Sequence, residues 1–185
     1  MNKKVIVLAM LAALAATPAL AGEKWFGFNG GVSGPSGDFG DAANMGYHGT
    51  LTGTYMLTPA FGVGADLGYH WWGGSDDYFG SGADASFSGI QATAQGTYMI
   101  PLQGKARPYI GAGLGLYNFG VEVESPLGDS DDSSSDFGYN IGGGLNWLVS
   151  PMYMMGIGAG YHSIQTEGDA TNFYTVGVNL LWGKN

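Results

Sequence analysis

Residues 47–55 read Tyr47-His48-Gly49-Thr50-Leu51-Thr52-Gly53-Thr54-Tyr55, and alternate positions give two unlike series. Tyr47, Gly49, Leu51, Gly53 and Tyr55 are apolar or glycine with aromatic ends, whereas His48, Thr50, Thr52 and Thr54 are polar. A period of two is the mark of a β-strand, whose successive side chains point to opposite faces. Four further aromatic pairs stand eight positions apart with only apolar residues or glycine between them at the same parity: Phe61/Tyr69, Tyr139/Trp147, Tyr153/Tyr161 and Tyr174/Trp182. Their companion faces are small or polar, as in Gly62, Gly64, Asp66, Gly68 and in Asn140, Gly142, Gly144, Asn146. Eight residues at about 3.3 Å each, tilted by roughly 40°, span about 20 Å, close to the apolar band and aromatic girdles of a membrane-spanning β-barrel.

Alternation alone leaves open which face points outward, because a soluble lipocalin-like barrel also alternates. Charge decides between them. No Lys or Arg occurs between Trp25 and Pro101, and charged residues make up 11% of the chain, against about a quarter in soluble domains. The greasy face therefore meets lipid, and the small or polar face lines a lumen.

The N-terminus points the same way. Lys3 and Lys4 precede an apolar run from Val5 to Ala16, and Ala19-Leu20-Ala21 offers a small-residue cleavage site before Gly22, the pattern of a secretory signal peptide. Residues 1–21 are expected to be that peptide and residues 22–185 a single barrel domain, long enough for eight spanning strands at about 9 to 11 residues each plus connections. No other stretch approaches the ~20 unbroken apolar residues of a membrane helix. With no cysteine in the chain, disulfides and thiol metal sites are excluded, and closure of the sheet has to satisfy the backbone.

The expected fold is an all-β, eight-stranded antiparallel up-and-down transmembrane β-barrel with strands near 24–33, 46–57, 61–72, 86–100, 108–122, 137–149, 152–164 and 172–183. Connections alternate in length. Those at 58–60, 101–107 and 150–151 are short and carry Pro or Gly, while 34–45, 73–85, 123–136 and 165–171 are mostly longer and rich in Gly, Ser and Asp. Short periplasmic turns and longer extracellular loops are the usual arrangement and would place both termini in the periplasm. Thirteen of the fifteen acids fall on the long connections or their rims, and the four cations beyond the leader (Lys24, Lys105, Arg107, Lys184) fall on the other side. A weak repeat also links Thr58-Pro59 through Tyr69-His70 with Ser150-Pro151 through Tyr161-His162.

These features, with Pro108-Tyr109-Ile110-Gly111-Ala112-Gly113-Leu114-Gly115 on the fifth strand and Tyr174, Val176, Val178, Leu180, Trp182 on the last, resemble the small eight-stranded outer-membrane β-barrel family of OmpA-type transmembrane domains, OmpX-like proteins and opacity or adhesin barrels. The resemblance covers the whole chain after the leader, through loose motifs. It implies outer-membrane lipid as solvent and the barrel-assembly machinery as a partner that reads the C-terminal strand. That family usually ends on its terminal aromatic, whereas here Gly183-Lys184-Asn185 follow Trp182.

Three constellations carry candidate chemistry. His48, His70 and His162 each follow a tyrosine and lie eleven residues from a proline of a short turn, which places all three at the lumen mouth at similar depth. They are either metal ligands, if the imidazoles converge on one ion, or hydrogen-bonded lumen residues. Asp66 is the single charge expected well inside the lumen; it is either satisfied by polar neighbours or a proton-sensitive gate. Asp129, Asp131, Asp132 and Asp136, interleaved with serines, are hard-cation candidates for calcium or magnesium, or a solvated acidic loop; they lack the glycine and later glutamate of an EF-hand. Beyond these, no cofactor is expected.

No nucleic acid or other polyanion suits so acidic a surface. An enzyme is not expected: His162 and Ser163 are adjacent and so face opposite sides, and no other serine stands beside a histidine. The sequence thus predicts a non-enzymatic outer-membrane β-barrel with a role in envelope structure or surface interaction. The alternative is a narrow channel for small solutes or ions, through gaps left by the many inward glycines. The surface ligand is not named by any motif.

Overall fold

The computed structural model describes residues 22–79, 84–124, 130–166 and 170–184, so the expected signal peptide lies outside the described residues. Eight strands follow one another: β1 (Lys24–Ser36), β2 (Gly46–Met56), β3 (Phe61–Gly73), β4 (Asp84–Met99), β5 (Ala106–Glu124), β6 (Ser130–Ser150), β7 (Tyr153–Gln165) and β8 (Thr171–Lys184). Each pairs antiparallel with its chain neighbour, and β1 pairs with β8 from Lys24↔Lys184 to Ser36↔Asn172, closing the sheet. Closure leaves no unpaired edge, which is the condition for strands to stand in lipid.

The end that carries both termini also carries the short turns. In the β2–β3 turn the Thr58 hydroxyl accepts the Phe61 amide at 2.9 Å, and Gly104, at φ 100°, turns the chain between β4 and β5 where a side chain would be strained. At the distal end, α1 (Asp38–Ala42) and α2 (Asp76–Phe79) interrupt the first two long connections. An isolated bridge joins Ala43 to Gly74 between them.

The third long connection corrects an expectation. The acidic stretch read as a loop is strand from Ser130 onward, pairing with β5 from Val123↔Ser130 to Tyr117↔Asp136. Serine and aspartate do not favour extended backbone by themselves. The ladder comes from β5, which itself runs on to Glu124 and gives each residue from Ser130 to Asp136 a partner.

The two faces divide as the alternation requires. Tyr47 is 66% exposed, Leu51 and Leu67 are 55% exposed and Ile157 is 58% exposed, whereas His70 and Gln91, which face the lumen, are each 1% exposed. The outward belt is continuous from strand to strand, with Leu51 and Leu67 side by side in register at its middle. Such a surface is stable in hydrocarbon and not in water.

Side chains fill much of the lumen. Beside several inward glycines, side chains from neighbouring strands occupy the space. A Cβ on Gly138 would stand 2.8 Å from the Tyr117 ring, one on Gly183 2.8 Å from the Trp25 ring, and one on Gly113 2.6 Å from the Gln95 amide. Two apolar layers result. At the distal end Ala43, Trp72, Phe87, Tyr117, Ile164 and Phe173 form one, with Phe39 of α1 packed against it. At the terminal end Trp25, Met56 and Met154 form the other, joined by Met99, Leu148 and Leu181.

Candidate functional site

Between the two apolar layers lies a polar one, built from inward positions of all eight strands. Asn29 of β1, the threonines of β2, Asp66 and His70 of β3, Gln91 and Gln95 of β4, Tyr109 of β5, Asn140 and Asn146 of β6, His162 of β7 and Asn179 of β8 surround a cavity of about 170 Å³. In an eight-stranded barrel the interior is just wide enough for side chains from opposite walls to meet, so polar groups here satisfy one another across the lumen.

Three hydrogen-bonded chains do this. In the first, Gln95 Nε2 donates to Asp66 Oδ2 and to Asn140 Oδ1, each at 2.7 Å. Asn140 Nδ2 donates to Tyr117 Oη at 3.3 Å, Tyr117 Oη meets His162 Nδ1 at 3.0 Å, and His162 Nε2 meets Thr175 Oγ1 at 3.4 Å. Because Nδ1 takes the phenol proton in this chain, His162 is assigned the Nε2–H form. In the second, His48 Nε2 meets Asn29 Oδ1 at 2.6 Å, and Asn29 Nδ2 donates to Asn179 Oδ1 at 2.6 Å. Asn179 Nδ2 then donates to Tyr109 Oη at 2.9 Å and to Asn146 Oδ1 at 3.0 Å. In the third, His70 Nε2 meets Gln91 Oε1 at 3.1 Å, and Gln91 passes the bond on to Thr93.

The three histidines come together. His48 and His70 are register partners whose rings stack at 5.7 Å, and His162, from the opposite wall, meets His70 edge-on at 5.5 Å. Strand separation does not keep them apart, because the lumen is narrow. They are not at the mouth, however. Trp72 and Ile164, the next inward residues after His70 and His162, are fully buried above them, and Trp72 stacks on His70 at 5.6 Å. The strands run one inward position further than a mouth site would allow. Among the described residues no three His, Cys, Asp or Glu side chains are placed to hold one metal ion.

Asp66 is where the alternation puts it, inside, and among the described residues no lysine or arginine lines its cavity. Of the acidic candidates, Asp129 lies outside the described residues. Asp131 and Asp132 follow each other on the β6 strand, and Asp136 lies four positions beyond Asp132. Four residues of extended strand span about 13 Å, too far for Asp132 and Asp136 to share a cation.

Sequence reading missed the aromatic cover and the two lumen tyrosines. For the cover the signal was present in the doublets Trp71-Trp72 and Phe173-Tyr174. On a strand adjacent aromatics cannot both face lipid, so one of each pair has to enter the lumen.

A closed antiparallel eight-stranded sheet with an apolar exterior and a side-chain-filled lumen defines the class of small outer-membrane barrels. The model of the outer membrane protein beta-barrel domain family matches residues 6–182, and the chain belongs to that family. The fold is similar to that of Neisserial surface protein A, 18% identical, with a TM-score of 0.62 over 88% of this chain and 97% of that one. It is similar also to Ail, the attachment invasion locus protein of Yersinia pestis, 17% identical, with a TM-score of 0.59 over 88% and 99%. A major outer membrane protein from Thermus thermophilus, 11% identical, gives a TM-score of 0.61 over the same shares, 88% and 99%. At these identities the likeness is one of fold. The comparison with curated protein sequences gives no match.

Proposed function

We propose that this barrel serves envelope structure or surface contact and neither catalyses a reaction nor conducts solute. The observation that carries the reading is the pair of apolar layers, around Trp72 and Phe173 at one end of the lumen and around Trp25, Met56 and Met154 at the other. A conduit would need both to move aside. His162, the one histidine with a serine beside it, spends its two nitrogens on Tyr117 and Thr175, which supports a structural role.

The termini belong in the periplasm in this reading and the distal end outside the cell, with β8 (Thr171–Lys184) as the strand the assembly machinery reads. Exposed acids at the distal end (Asp38, Asp41, Asp77, Glu122, Asp132) favour a cationic surface partner. Ail has been solved in complex with the heparin analogue sucrose octasulfate; an acidic rim here favours the opposite ligand charge.

Planar-bilayer recording of the refolded barrel tests the proposal, and the expected result is no steady conductance. Sustained open channels would replace it with the narrow channel, a reading that the cavity of about 170 Å³ in the lumen favours.

A further inference from the structure

We propose that the lumen holds one alkali-metal ion against the carboxylate of Asp66. The carboxylate accepts from Gln95 Nε2 on Oδ2 at 2.7 Å, while Oδ1 is buried with no hydrogen bond made to it. An ionised carboxylate in a lumen surrounded by hydrocarbon is costly unless a positive charge stands beside it. Among the described residues no side chain sets one against it: His48, His70 and His162 share the cavity, but their hydrogen bonds go to Asn29, Gln91, Tyr117 and Thr175 and not to Asp66. No lysine or arginine lines the cavity, and Arg107, the only arginine of the chain, turns its Nη1 onto the carbonyls of Gly104 and Ala106 at 2.7 and 3.0 Å.

What the protein does supply around the carboxylate is neutral oxygen. Thr52 on β2 and Thr93 on β4 are the register partners of Asp66 on its two sides, and Thr50 and Thr54 continue the hydroxyl series along the same cavity wall. One step along β3, the place a Cβ on Gly68 would occupy is 3.0 Å from Thr50 Oγ1, 3.2 Å from Gln91 Oε1 and 3.2 Å from His70 Nε2. The glycine lets these groups close in, so that two neutral oxygens stand one inward position from the acid. Hard cations take carboxylate, hydroxyl, amide oxygen and water as ligands. A single carboxylate fully neutralises a monovalent ion but leaves a divalent one with net charge in the lumen, so the site fits sodium or potassium over calcium or magnesium. The cavity has room for such an ion and for waters that complete its shell.

The test is urea unfolding of the full barrel in phosphatidylcholine vesicles, with sodium, potassium or choline chloride at constant total chloride. Choline is the control for ionic strength, since a quaternary ammonium presents no coordination position to carboxylate and hydroxyl oxygens. Expected is a fall in the unfolding constant of about tenfold for each tenfold rise in sodium or potassium above the dissociation constant, the linkage of one bound ion. In Asp66→Asn that dependence is expected to vanish, with the variant at least as stable as the parent in choline. Should Asp66→Asn fail to fold, Thr52→Val decides: it keeps the charge, and loss of one ligand should move the onset of the ion dependence to about tenfold higher ion. Equal stability of the parent in all three salts, the result if a proton neutralises the acid instead, would overturn the proposal. So would an ion dependence that survives Asp66→Asn, or an onset unchanged in Thr52→Val.

Discussion

The outside and the inside of this barrel use glycine in opposite ways. On the lipid face Gly53 has open surroundings; a Cβ there would meet nothing nearer than the Phe26 ring at 3.8 Å. On the lumen face Gly138 is hemmed in by the Tyr117 ring and the Ser163 carbonyl, each 2.8 Å from where a Cβ would stand. The exterior is therefore specified one residue at a time by its solvent, and the interior by pairs, a large side chain on one strand and its absence on the next. A residue that looks merely permissive in sequence is, inside, the receiving half of a contact.

The largest test of that division is a charge on the belt. Leu67→Arg, beside Leu51 at mid-belt, should cost about 2–4 kcal/mol of folding free energy, read as a shift of the urea midpoint in lipid vesicles. A negligible effect would mean that the faces are inverted. Next comes one substitution made on both faces. Gly138→Ala should cost about 1–3 kcal/mol by overpacking, whereas Gly53→Ala should stay within about 0.5 kcal/mol. Equal costs in the same unfolding assay would break the claim that the lumen is filled by neighbours. The smallest effect probes the polar layer. Tyr117→Phe keeps the ring that fills the space beside Gly138 but removes the hydroxyl between Asn140 and His162. It should cost about 1 kcal/mol, with the loss of protection at the buried His162 ring detectable by hydrogen–deuterium exchange at its C2 position. No change in either measurement would show that the two strands do not depend on that bridge.

The same division explains what can be read from the sequence. Each outward face declares itself along its own strand, as Tyr47 to Tyr55 does, because lipid contacts each side chain separately. The short turns are equally local, since Pro59, Gly104 and Pro151 act on their own backbone. The inward faces of β2, β3, β6, β7 and β8 read as small or polar within the nine-residue windows, and that much is right for Asp66, Asn140 and Asn179. Trp72, Tyr117 and Phe173 lie beyond those windows or on β5, so the distal apolar layer does not show. Nor does the extension of β6 through Asp132, where Ser and Asp favour turns by themselves and only pairing with β5 makes a strand. The meeting of His48, His70 and His162 depends on barrel diameter, which is a property of eight strands together and of no one of them.

Trp71 and Trp72 are adjacent on β3, yet they would record different moments in the making of the barrel. Trp71, 42% exposed on the belt, meets hydrocarbon as soon as its strand enters the bilayer. Trp72 acquires its stack with Phe119 and its edge contact with Phe173 only after strands from distant parts of the chain have come round to enclose the lumen, a step that carries the loop-closure cost of long-range pairing. Indole emission from a chain whose sole tryptophan is at position 71 therefore times partition into the membrane, and from one whose sole tryptophan is at position 72 it times closure. The interval between the two signals is the lifetime of an inserted but still open sheet.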